Sequence, residues 1–120
     1  VTNPNSIMKL FIAILFIASA AHAALPESEV NRIADAIYKI EGGAKTKHPY
    51  GVLSVKTTDP RRVCMNTIRN NWKRWEAAGR VGSYGDFLGN RYCPKSADPI
   101  GNRNWLANFK KLVGAIKEDK

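Results

Sequence analysis

Apolar residues return at helical spacing in three stretches of this chain, and glycine or proline cuts each stretch off from the next. At ~100° per residue, Val30, Ile33, Ala34 and Ile40 fall within about 60° of Ile37. Cys64, Met65, Ile68, Trp72 and Trp75 share a second face, with Arg61, Arg62, Arg69 and Lys73 opposite. Trp105, Leu106, Phe109, Leu112, Val113 and Ile116 form the third stripe. Such stripes must be buried against other elements, so the fold is predicted to be mostly α. A shorter helix is expected over Ser83–Tyr92, with Phe87 and Leu88 inward and Pro94 ending it.

The boundaries follow from local chemistry. The first helix is expected to begin near Pro26 with Ser28 as N-cap, and to end at Gly42-Gly43, where a left-handed residue closes it. Asp59-Pro60 pairs an N-cap with a proline at the first helical position, so the second helix is predicted to run from there to about Ala78. Between them, Val52-Leu53-Ser54-Val55 is β-branched with weak alternation, which predicts a short β element. Lys95–Asn102, with Asp98-Pro99 and Gly101, is expected to be a polar loop before the last helix.

Residues 1–23 have the three-part layout of a secretory signal: Lys9 after Met8, the apolar run Leu10–Ala18, and Ala21-His22-Ala23 as a cleavage site. Residues 1–7 are expected to be an upstream mis-start. The apolar run is shorter than the roughly 20 residues of a spanning helix, so no stable membrane span is expected in the mature form. Ala24–Lys120 then makes a single domain, expected to be exported to the periplasm or the extracellular space and to be a monomer. Its two cysteines, Cys64 and Cys93, are expected to form a disulfide in that oxidising setting, stabilising a thin core by about 3.5 kcal/mol. The formal net charge is +9, and cleavage would remove only Lys9. A charge this positive favours an anionic partner. Export argues against nucleic acid and points to anionic cell-wall glycan, with solubility alone as the bland alternative.

One carboxylate breaks the first stripe. Glu41 falls within the same ~60° arc as Ile37, in the last helical turn before the glycine pair. Burial and the negative end of the helix dipole both disfavour its ionised form, which is what a general acid requires. Other chemistries find little support. Once His22 leaves with the signal, His48 is a lone histidine, so neither a metal site nor a histidine-based triad is assembled. Phosphate-cradling and dinucleotide motifs are missing from the sequence, and no metal or organic cofactor is expected. Carboxylate chemistry is left by elimination. Asp59, Asp86 and Asp98 all read as helix-start or turn residues, so a mechanism with one carboxylate is as consistent as one with a pair.

The stretches AIYKIEGG (Ala36–Gly43) and PYGVLSV (Pro49–Val55), then FLGNRYCP (Phe87–Pro94) and DPIGNRNW (Asp98–Trp105), resemble the lysozyme-like superfamily. The likeness is to lytic transglycosylases, goose-type lysozymes and related bacterial glucosaminidases, and it covers most of Ala24–Lys120. The chain differs from transglycosylases in having Gly42-Gly43 after the acid, and Ser54-Val55-Lys56-Thr57 where they carry Gly-Leu-Met-Gln. The resemblance implies a small lysozyme-like helical domain that cleaves peptidoglycan. It makes Glu41 the catalytic acid and Tyr92 a residue that positions the sugar or the acid. Gly51 and Ser54 would line the cleft floor, with His48 and Tyr50 beside them or packed in an ordinary turn. A non-catalytic wall-binding or inhibitor-like protein on the same scaffold, and a cationic membrane-active effector, are the alternatives.

Overall fold

The computed structural model describes residues 24–51 and 57–118. They form four helices: α1 (Glu27–Ile40), α2 (Pro60–Ala77), α3 (Tyr84–Tyr92) and α4 (Pro99–Val113). Helix α1 packs against α2 and α4, and α3 packs against the same two, so the helices close a ring around one core. Ile33, Ile37, Ile68, Leu88, Val30 and Cys64 are completely enclosed in it. The helical stripes therefore meet as expected, apart from Leu112, which is 40% exposed, and Ile116, which lies beyond the end of α4 and packs on the core from there.

Helix starts follow side-chain chemistry. Asp59 accepts the Arg62 backbone N–H at 3.0 Å, Ser83 accepts that of Asp86 at 3.0 Å, and Asp98 accepts that of Gly101 at 2.8 Å. The third cap corrects an expectation: Asp98-Pro99 opens α4 instead of lying in a loop, and the helix starts well before Trp105. Ser28 does not cap α1. That helix begins after Pro26, whose carbonyl accepts the Glu29 and Val30 N–H groups, and no side chain caps it.

Two further expectations are corrected. No strand occurs among the described residues; the segment after α1 instead makes two 3-10 turns, Gly43–Lys45 and Pro49–Gly51. Val52–Val55, on which the β element was expected, lies outside the described residues, as does the signal at 1–23. The disulfide is not formed: Cys64 and Cys93 are free thiols that do not lie near each other. Cys64 projects from α2 into the core toward Tyr92. Cys93 ends α3 and turns toward the following loop, where a Cβ on Gly101 would lie 3.0 Å from its sulfur.

The chain end is fastened by charge instead. Glu29, only 4% exposed, takes Arg32 Nε at 2.7 Å and Nη2 at 2.8 Å. Arg32 also donates to the carbonyls of Val113 and Ala115. The Lys117 backbone N–H donates back to Glu29. On the other side, Arg80 lies over the Trp72 and Trp75 rings at 5.4 and 4.9 Å and pairs with Glu76 and Glu118.

The Arg32 guanidinium holds the Glu29 carboxyl at about 2, against an ordinary value of 4.5, while burial pushes the other way. Since the folded value is the lower one, the stabilisation is complete above about pH 4.5 and is lost as pH falls toward 2. Glu29→Gln is expected to destabilise the fold by about 1–3 kcal/mol at pH 7, as read from urea unfolding. The gap from wild type should close as the pH is taken down through that window.

Candidate active site around Glu41

Glu41 directly follows α1, and its backbone N–H still donates to Ile37 at 2.9 Å. Gly42 then takes φ 97°, a left-handed conformation that costs glycine little. The chain turns there and returns through the second 3-10 turn, which packs on α1 and α2. Gly51 ends that turn at φ 65°, and a Cβ on it would stand 3.0 Å from Glu41 Cδ. The backbone of Gly51 thus lies directly against the carboxyl group.

The opposite contact comes from α4. Trp105 Nε1–H donates to Glu41 Oε1 at 3.2 Å. The indole stacks on Tyr92, with centroids 5.6 Å apart and planes at 12°, and on Phe109 at 5.2 Å and 14°. Tyr92 in turn has its hydroxyl 3.5 Å from Cys64 Sγ. Burial, and then the neighbouring Cys64 and Glu41 charges, push the Tyr92 phenol far above its ordinary range, so it stays neutral at physiological pH. Burial likewise pushes the Cys64 thiol up to about 11; the Tyr92 hydrogen bond opposes this and the Glu41 charge adds to it. Cys93 is raised by burial first, then by the charges of Asp98 and Glu41.

Three of the residues singled out in the sequence therefore gather at one place: Glu41, Gly51 and Tyr92. Two do not join them. His48 is exposed and serves a turn, its N–H donating to Thr46 Oγ1 at 3.2 Å. Tyr50, at φ 63°, packs on Tyr38 with ring centroids 5.0 Å apart and accepts from Arg61 Nη1 at 3.3 Å. Ser54 lies outside the described residues. Trp105 is the residue that sequence reasoning passed over as part of an apolar stripe. A buried indole N–H needs an acceptor, and Glu41 was the misplaced acceptor on the stripe of α1.

Asp59 and Asp98 are engaged as caps, Asp86 lies in the first turn of α3, and none of the three hydrogen-bonds to Glu41. Among the described residues no three His, Cys, Asp or Glu side chains group as a metal site. One groove, about 1020 Å³, is lined by Asn71, Arg74, Phe87, Arg91 and Lys95 among others, and Glu41 is not part of it. Smaller grooves of about 380 and 320 Å³ also lack Glu41. Glu41 thus lies apart from these three grooves. Among the described residues no helix is long and apolar enough to cross a membrane.

At Gly51 any side chain meets both the left-handed backbone and the Glu41 carboxyl. Gly51→Ala is expected to cost about 1–2 kcal/mol, measured by thermal or urea unfolding. The thiols give a separate check. With Cys64 enclosed and Cys93 partly exposed, an aromatic disulfide reagent at neutral pH should label Cys93 first and Cys64 only as the protein unfolds.

No protein-family model, curated protein or solved structure matches this chain.

Proposed function

We propose that the domain is an exported glycosidase, a divergent relative of the lysozyme-like superfamily, that cleaves the β-1,4 linkages of peptidoglycan with Glu41 as proton donor. The observation that carries this is a single half-buried carboxylate at the end of α1, held between the Gly51 backbone and the Trp105 indole N–H. Glycosidic cleavage needs a proton on the bridging oxygen as its bond to C1 lengthens. As Glu41 gives up that proton its charge grows, and the Trp105 hydrogen bond strengthens with it. Stabilisation thus increases toward the transition state, the condition for accelerating a reaction.

Asp59 and Asp98 are engaged as helix caps, which favours completion by the substrate's own groups. In that route the C6 hydroxyl of the cleaved sugar attacks C1, and its proton passes to the newly ionised Glu41. The glycosidic bond breaks, the departing oxygen keeps the proton it received, and the product carries an anhydro end. The positive surface would hold the enzyme to an anionic wall, and the leader at 1–23 would carry it there. Neutral Tyr92, stacked on Trp105, serves as a wall of the site and not as a proton source.

Purified protein and Glu41→Gln are to be compared for release of soluble glycan from peptidoglycan. A loss of at least about 100-fold is expected, and equal release would sink the assignment. Product masses then separate anhydro ends from the reducing ends left by water. Retained wall binding with no release from the wild type would indicate a binding domain instead.

A further inference from the structure

Trp105 is immobilised on every side that matters for its hydrogen bond. Its ring is stacked at nearly parallel angles against both Tyr92 and Phe109. One edge lies on Gly89, where an added Cβ would approach Cε3 at 3.0 Å and Cζ3 at 3.2 Å. The residue is 5% exposed. A side chain fixed in this way aims its N–H in one direction, and Glu41 Oε1 lies 3.2 Å along it.

The other two indoles behave differently. Trp75 donates to the Gly82 carbonyl at 3.2 Å, and Trp72 Nε1 has no partner among the described residues. The two oxygens of Glu41 are also unequal. Oε1 takes the indole N–H and would lie 3.3 Å from a Cβ on Gly51, whereas Oε2 accepts no hydrogen bond from a described residue.

We infer that Trp105 is the positioning residue of this site, holding Glu41 Oε1 so that Oε2 is the oxygen that carries and delivers the proton. The inference rests on Glu41 being the acid. It assigns the stacked aromatics a task beyond filling the core: they convert the packing of α4 into the orientation of a carboxylate on α1. A donor pre-aimed at the oxygen that does not transfer the proton leaves the other free for substrate, and it needs no rearrangement when charge develops.

Two measurements test this. Trp105→Phe keeps a ring between Tyr92 and Phe109 but removes the N–H. It should lower kcat about 10- to 100-fold with KM unchanged, as expected when orientation and not binding is lost. Full kcat in a natively folded Trp105→Phe would overturn the inference. The second readout needs no turnover. In nitrogen–proton correlation spectra, the Trp105 indole signal is identified by its proximity to the Tyr92 and Phe109 rings. Its position should move with pH in wild type and stay flat in Glu41→Gln. A shift that persists in Glu41→Gln, or none in wild type, would overturn it, even if Trp105→Phe fails to fold. Should wild type release no glycan, the proposed activity falls, and the spectra alone decide whether Trp105 holds Glu41.

Discussion

The close approach of α3 to α4 governs the rest of the molecule. At Gly85 and Gly89 a Cβ would come within 3.0 Å of Phe109 and within 2.9 Å of Leu106, so only bare backbone lets the two helices lie this near. The space where side chains would stand is filled by the rings of Trp105 and Phe109. A larger residue at Gly89 would push Trp105 outward, and the indole N–H would no longer reach α1. The contact that orients Glu41 thus begins as a packing constraint between two other helices. The stacked series Tyr92, Trp105 and Phe109 transmits it, with Tyr92 in turn resting on Cys64 of α2.

The helical stripes were legible because period 3.6 leaves a strong trace even in a short chain. Two identical signals were weighed differently, however. Asp59-Pro60 is followed at once by an apolar stripe and reads as a helix start, whereas no stripe begins beside Asp98-Pro99, which reads as a turn. The first turns of α4 are largely exposed, and there the cap alone decides the boundary. The cysteine pairing was inferred from compartment and count. Whether two thiols meet depends on the faces they occupy, and Cys64 points inward from α2 while Cys93 turns into a loop. Glu29 is one of two acidic residues in the first turn of α1. Its burial depends on the chain end returning across α1, which no local pattern announces. Glu41 was legible as an anomaly, and its partner was not, since a tryptophan in an apolar stripe looks like core until its N–H is followed.

The paired charges also redistribute the positive character of the chain. Arg32, Arg61, Arg69 and Arg80 are all bound to carboxylates within the fold. These pairs are close to neutral from a distance. Among the remaining cations, Arg74, Arg91 and Lys95 line a groove of about 1020 Å³ whose lining does not include Glu41. In the proposed function, long-range attraction to an anionic polymer does not require a cation beside the acid.

The fastening of residues 113–118 has a dynamic consequence. A segment that follows the last helix of a fold ordinarily opens first, at little free-energy cost. Here the end is buckled to the first turns of α1 through Arg32 and Glu29, and to the end of α2 through Arg80 and Glu118. Fraying of the last residues would strip a nearly buried carboxylate of one of its donors, so the tail and the start of α1 open as one cooperative unit. Glu41 lies at the far end of that same helix. Glu41 is thus steadied partly by residues distant from it in sequence.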